Sequence, residues 1–156
     1  MRDVKRSALV PHTPAQMYAL VNAVGDYPRF VPWCTGARVL SETPTALSAT
    51  LEVGRAGVGV ALTTQNTLKP DEQIDMALLD GPFRAFSGVW RFVPITEASG
   101  DGAPARLKGC RVELVVSFEF KNAALDLLAG PLFESTWNSL VDVFVARARE
   151  VYGATR

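Results

Sequence analysis

The stretch Asn22-Ala-Val-Gly-Asp-Tyr-Pro-Arg-Phe-Val-Pro-Trp-Cys-Thr-Gly36 is strongly apolar and yet has no regular period. Four large apolar or aromatic side chains fall within seven positions, from Tyr27 to Trp33, and Pro28 and Pro32 interrupt them. Each proline lacks a backbone N–H donor and fixes its own φ, so neither a long helix nor a regular strand fits here. A segment this apolar must be packed against something. It is either a buried loop that plugs one end of a core or the mouth of an apolar ligand cavity.

The composition, with 48% apolar and 21% charged residues, is ordinary for a soluble globular protein. At 156 residues the chain is predicted to form one domain over residues 1–156. No apolar run reaches the roughly 18 residues of a membrane-spanning helix, and the N-terminus has no apolar signal core. Cys34 and Cys110 form no metal-binding or CxxC spacing, which fits a reducing compartment. We therefore expect a cytoplasmic protein without a membrane-spanning segment.

The charges are balanced, with 16 basic and 16 acidic residues and no lysine-rich run. This pattern gives no footprint for DNA binding, although arginines from separate segments could still meet in the folded chain. The single histidine, His12, has no cluster of histidine, cysteine or carboxylate side chains around it. We therefore expect neither a metal site nor a resident cofactor.

The N-terminal region predicts a strand followed by a helix. Val4–Val10 is the strand, and Thr13-Pro-Ala-Gln16 carries three helix-start signals. These are an N-cap threonine, a proline in the first helical position and a glutamine that completes a capping box. Apolar residues at helical spacing follow, and Gly25 is the expected end of this helix. One further helical turn fits within the proline-containing stretch.

Between Gly36 and Phe120 the apolar period changes to two, most clearly over Cys110–Phe120. Such alternation predicts an antiparallel sheet with one covered face and one wetter face. Counting the first strand, we predict about six strands. Asp80-Gly81 predicts a hairpin turn between two of them, and Ile95–Ala105, which contains Gly, Pro, Ser and Asp, predicts a mobile surface loop.

The C-terminal part returns to helical spacing, and one face of Pro131–Tyr152 carries large apolar side chains. Gly130-Pro131 is expected to break or kink the helix, because proline removes a backbone hydrogen bond. One helix laid across a curved antiparallel sheet is an α+β architecture. Because a single helix cannot fill the concave side of a strongly curved sheet, the arrangement predicts a cavity between helix and sheet.

Four motifs resemble those of the START-like, or helix-grip, superfamily: Asp26-Tyr-Pro-Arg-Phe-Val-Pro-Trp-Cys34, Asp80-Gly-Pro-Phe83, Ser117-Phe-Glu-Phe120 and Phe144-Val-Ala-Arg-Ala148. They are similar to the branch that holds the bacterial ribosome association toxins and the mitochondrial coenzyme-Q-binding START-domain proteins. The resemblance covers nearly the whole chain. It implies a hydrophobic cavity under the long helix, with ubiquinone or a related prenyl lipid as ligand and a role in respiration. For the toxins it implies binding to the large ribosomal subunit instead.

The ligand-binding candidates are inward-facing residues of sheet and helix, with two aromatic residues of the proline-containing stretch. They are Phe30, Trp33, Thr64, Asn66, Met76, Phe86, Trp90, Phe118, Phe133, Trp137, Leu140, Val141 and Phe144. Each could instead pack against the others as ordinary core. A buried amide without a hydrogen bond costs about 1–3 kcal/mol, so Asn66 either fastens a loop or meets a polar group such as a quinone carbonyl. A β-bulge between Leu62 and Leu68 would turn it outward.

Three functions are compatible with these patterns. The first is non-catalytic binding of an apolar small molecule, ubiquinone above all. The second is binding to the large ribosomal subunit to block subunit joining, for which Arg147, Arg149 and Arg156, with Arg2 and Arg6, form a candidate basic cluster. The third is a polyketide cyclase- or aromatase-like enzyme, which the scarcity of inward-facing acids, bases and nucleophiles argues against.

Overall fold

A seven-stranded antiparallel sheet and a long C-terminal helix make up the fold in a computed structural model, which describes residues 1–55, 57–98, 100, 102 and 105–153. The elements in chain order are β1 (Arg2–Val10), α1 (Pro14–Asn22), a 3-10 helix (Val24–Arg29), β2 (Cys34–Thr43), β3 (Ala46–Arg55), β4 (Val58–Lys69), β5 (Gln73–Asp80), β6 (Phe83–Glu97), β7 (Arg106–Phe120) and α2 (Ala123–Tyr152). The strands lie in the order β1-β7-β6-β5-β4-β3-β2. The predicted helix-grip α+β fold is confirmed, with seven strands instead of about six.

Strand β2 is the one that the sequence pattern missed. It lies at the edge of the sheet, pairs only with β3, and is largely exposed on both faces. Register shifts at Thr35 and Leu40 each insert one unpaired residue, which reverses the inward and outward positions along the strand. No period of two survives two such reversals in ten residues.

The predicted start of α1 is confirmed. The Thr13 side chain accepts a hydrogen bond from the Gln16 backbone N–H, and the Gln16 side chain accepts one from the Thr13 N–H, which completes the capping box. The helix ends at Asn22, however, before Gly25, which lies inside the following 3-10 helix. Because β1 and β2 are the two outermost strands, this connection runs from one edge of the sheet to the other.

Of the break or kink expected at Gly130-Pro131, the break is wrong, because the long helix continues through both residues. Helix α2 begins at Ala123, with Asn122 as its N-cap, and continues for 30 residues through Pro131. The Arg2 guanidinium of β1 lies against Gly130, at a distance of 2.5 Å from where a Cβ would stand. It also bonds Asp126 at 2.9 Å and Glu134 at 2.6 Å, on either side of the glycine. Tertiary contacts therefore hold the helix together across its weakest point.

Two local predictions had different outcomes. The hairpin turn at Asp80-Gly81 is confirmed between β5 and β6, and Gly81 has a φ of 145° that favours glycine. The loop predicted at Ile95–Ala105 is shorter, because β6 continues to Glu97; four positions of this region, 99, 101, 103 and 104, lie outside the described residues. Among the described residues, no helix combines the length and apolar character needed to cross a membrane.

Candidate functional site

Two small internal spaces lie between the sheet and α2, and we call them together the inner cavity. Each measures about 20 Å³, and both are bordered by Tyr27, Leu51, Leu62, Trp137 and Leu140. This is room for about one water molecule, compared with roughly 300–1,000 Å³ for a small-molecule pocket. The inner cavity is therefore closed in this conformation.

The walls of the inner cavity come from five parts of the chain. Inward residues of β3, β4 and β5 form one wall, α2 forms the opposite wall, and the stretch from the 3-10 helix to the start of β2 closes it. The remaining lining residues are Val24, Val31, Cys34, Ala49, Val53, Thr64, Asn66, Met76, Phe133 and Thr136. Among the residues that the structure describes, no histidine, carboxylate, lysine or arginine side chain belongs to the lining.

The polar groups of the inner cavity are few and lie on opposite walls. The Thr64 hydroxyl donates a hydrogen bond to Asn66 Oδ1 at 2.9 Å, and both residues are buried. This is the one side-chain hydrogen bond that Asn66 makes among the described residues. Across the cavity, the indole N–H of Trp137 is buried without a hydrogen-bond partner. Such a group is costly to bury, which makes it a candidate to donate to a ligand oxygen.

A bulge is present where one could have turned Asn66 outward, but it lies in β5 and not in β4. The register shift at this place leaves Leu79 of β5 as the extra residue, opposite Thr63 and Thr64 of β4. The pairing of β4 with β3 is regular throughout, so β4 keeps its alternation. Asn66 therefore stays on the inward face.

Two titratable side chains line the inner cavity, Tyr27 and Cys34. Burial raises the pKa of the Tyr27 hydroxyl, which donates a hydrogen bond to the carbonyl of Val21. Burial also raises the pKa of the Cys34 thiol, which donates to the Gly36 carbonyl at 3.3 Å. Both groups are therefore held in their neutral, protonated forms, which are poor nucleophiles and bases. In the part of the chain that the structure describes, no three His, Cys, Asp or Glu side chains lie close enough to hold a metal ion.

The structure distributes the predicted site residues among three places. Six line the inner cavity: Thr64, Asn66, Met76, Phe133, Trp137 and Leu140. Five are buried in the core away from it: Phe86, Trp90, Phe118, Val141 and Phe144. Phe30 and Trp33 are half-buried, and Phe30 borders a surface depression under the Arg147 guanidinium, which lies 4.8 Å from its ring centroid.

The core residues fill the space that the sequence reasoning expected to be empty. Phe144 is fully buried, with its ring centroid 5.4 Å from that of Tyr27 and 5.5 Å from those of Phe30 and Trp90. A second ring cluster joins sheet and helix residues around Phe133. Lining residues that the prediction omitted, such as Leu51 and Leu62, lie on the inward faces of β3 and β4, and their strand alternation was the available signal.

Comparison with known proteins places this geometry in a family. Residues 10–145 match the family model described as "Polyketide cyclase / dehydrase and lipid transport". The ribosome association toxin RatA of Escherichia coli K12 is 40% identical over 154 residues, which cover 99% of this chain and 91% of the toxin. The mitochondrial coenzyme Q-binding protein COQ10 homolog B of Xenopus laevis is 34% identical, over 97% of this chain and 59% of that protein.

Solved structures share the fold at lower identity. The Zhui aromatase/cyclase from Streptomyces has a TM-score of 0.75 at 17% identity, covering 99% of both chains. A START superfamily protein from Mycobacterium smegmatis has a TM-score of 0.73 at 17% identity, covering 96% of this chain and 98% of that one. Sheet, helix and matching sequence agree, and the chain belongs to the START-like family of polyketide cyclases, dehydrases and lipid transport proteins.

Proposed function

We propose that the protein binds an apolar small molecule with a carbonyl head group, of the ubiquinone or prenyl-lipid type, in the inner cavity and without catalysing a reaction. The observation that carries the proposal is that Trp137 lines a mostly apolar cavity and that its buried indole N–H has no hydrogen-bond partner. A carbonyl oxygen accepts hydrogen bonds and donates none, so it matches this donor and the amide nitrogen of Asn66. The cavity must widen to admit a ring, because about 20 Å³ does not hold one.

The absence of catalysis is part of the same proposal. The cavity lining offers Tyr27 and Cys34 as its titratable side chains, and burial keeps both protonated. General acid–base catalysis works best with a group whose pKa lies near the working pH. Among the described lining residues, no acid or base with a pKa near the working pH is available for cyclase chemistry of the kind named for the Streptomyces neighbour. A cytoplasmic location fits the proposal, since Cys34 and Cys110 are both free thiols.

The test replaces Trp137 by phenylalanine, which keeps an aromatic ring and removes the N–H donor. We expect a short-chain ubiquinone to bind about fivefold more weakly, the equivalent of one hydrogen bond of about 1 kcal/mol. Isothermal titration calorimetry measures the change without depending on tryptophan emission. Trp90→Phe is the matched control, because Trp90 is buried in the core and does not line the cavity. Equal binding by wild type and Trp137→Phe would remove the basis of the proposal.

Association with the large ribosomal subunit is a second candidate, favoured by the 40% identity to a ribosome association toxin along almost the whole chain. Binding to ribosomal RNA requires cations that are free to meet phosphates. Arg2 bonds Asp126 and Glu134, Arg6 bonds Asp142, and Arg147 bonds Glu150, so three members of the candidate basic cluster are already paired. Arg156, another member, lies outside the described residues.

Co-sedimentation with purified large subunits tests this second candidate. If the protein acts on the ribosome, it should pellet with the large subunit and dissociate steeply as salt is raised. Overproduction should also deplete joined ribosomes on a gradient. Protein that stays at the top of the gradient while joined ribosomes persist would exclude it.

A further inference from the structure

An apolar stripe on the first turns of α2 faces solvent. Ala124, Leu127, Leu128 and Pro131 recur at helical spacing and are all exposed, and we call these four residues the leucine stripe. The Leu127 and Leu128 side chains are 83% and 65% exposed. The largest contiguous apolar patch on a monomer surface is often functional.

The carboxylates around the leucine stripe are both paired with one cation of the protein. Over Ala123–Ser135 the charged side chains are Asp126 and Glu134, and both bond the Arg2 guanidinium. The hydrogen bond from Arg2 lowers the pKa of Asp126. Lys121, an exposed cation, stands just before the helix. An apolar phase can therefore cover the stripe without burying an unpaired carboxylate.

The leucine stripe lies at the end of the fold where the inner cavity begins. Phe120, the last residue of β7, pairs with Phe83, and Asp80, the last residue of β5, pairs with Thr63 midway along β4. The start of α2 and the β3–β4 hairpin therefore lie toward the same end of the sheet. Along α2, the cavity-lining Phe133 follows Leu128 by five residues, or roughly 8 Å. The stripe therefore lies next along α2 to the residues that line the cavity, on the solvent side of the helix.

We propose that the leucine stripe docks the protein on a lipid bilayer, where the two leucines insert among the acyl chains beside the cavity. This inference rests on the proposed function, because an apolar quinone-type ligand resides in membranes and must be collected there. A second copy of the chain fits the stripe less well. Two exposed leucines with an alanine and a proline offer far less apolar area than the about 800 Å² per partner of a stable protein interface. Shallow insertion of a few apolar side chains suits an interfacial helix.

Vesicle flotation tests the docking. The vesicles contain phosphatidylcholine with a minor share of phosphatidylglycerol and no quinone. The variant Leu127→Gln/Leu128→Gln keeps the charge and the helix-forming character of the segment, and we expect its partition onto vesicles to fall about tenfold or more. The matched control is Leu9→Gln/Leu107→Gln, which replaces a 68% exposed leucine of β1 and a 48% exposed leucine of β7. The control should partition like wild type.

A second measurement separates docking from ligand binding. Short-chain ubiquinone in free solution should bind the stripe variant as tightly as wild type, since neither leucine lines the cavity. If wild type binds the quinone but does not float with vesicles, the docking is wrong and the proposed function stands. If it floats but binds no quinone, the proposed function fails and membrane docking stands. Unchanged flotation of the stripe variant would overturn the docking. So would a wild-type dimer in sedimentation equilibrium that the stripe variant does not form, because the stripe would then be a contact between two copies.

Discussion

Replacing Phe144 by alanine tests whether the space beneath the middle of α2 is solid core. The Phe144 ring is fully buried and makes edge-on contacts with Tyr27, Phe30 and Trp90, at centroid distances of 5.4–5.5 Å. Each such pair contributes about 0.5–1.5 kcal/mol beyond the burial of area. With the lost burial and the new void, the substitution should lower the free energy of unfolding by about 3–5 kcal/mol. That is a large part of the about 5–15 kcal/mol of a typical domain.

Urea unfolding followed by circular dichroism measures this loss, with the free energy extrapolated to water. Leu140→Ala is the matched comparison, because Leu140 lies one turn away on the same helix but already borders the inner cavity. Its side chain has fewer partners to lose, so its cost should be near the lower limit of about 2 kcal/mol for such substitutions. A cost below about 1.5 kcal/mol for Phe144→Ala would show that the ring borders a void, and the division into core and cavity would then be incorrect.

Two further predictions concern the inner cavity and the ion pairs of Arg2 with Asp126 and Glu134 on α2. Leu140→Trp should weaken short-chain ubiquinone binding at least about tenfold by occupying the cavity, while overpacking costs about 1–3 kcal/mol of stability; unchanged binding in calorimetry would mean that the ligand lies elsewhere. The Arg2 hydrogen bond lowers the pKa of Asp126, so this pair stabilises the fold above the ordinary carboxylate pKa and loses its effect as pH falls through the lowered value. The difference in the free energy of unfolding between wild type and Arg2→Gln, measured with urea, should therefore shrink between pH 7 and about pH 3. A constant difference would contradict a stabilising role of the Arg2–Asp126 pair.

Periodicity was enough to predict most of this fold, because most of its elements bury one regular face. Cys110–Phe120 alternates along its length, and β7 indeed buries every second side chain. The pattern failed where tertiary contacts override local rules. The two bulges of β2 erase its alternation, and the Arg2 ion pairs carry α2 through a glycine and a proline that would end an isolated helix.

The candidate site was less predictable than the fold, for a physical reason. Alternation tells which side chains point inward, but the division of inward side chains between core and cavity depends on how their rings interlock. Trp90 and Phe144 meet at 5.5 Å and fill space that the pattern alone left open. Trp137, two turns earlier on the same helix face, lines the inner cavity, and its buried indole N–H has no partner.

The proline-containing stretch fits both interpretations that its sequence allowed. Its backbone hydrogen bonds are mostly internal: the N–H groups of Phe30 and Val31 donate to the Tyr27 carbonyl, and that of Cys34 donates to Val31. Outside β2, one further bond fastens it to the sheet, from Gly54 to the Trp33 carbonyl. The stretch is thus stiff in itself and is held on the core largely by apolar contacts. An apolar ligand that displaces the part of the stretch before β2 would exchange apolar contacts for apolar contacts and would break one hydrogen bond to the sheet, the one from Gly54 to Trp33.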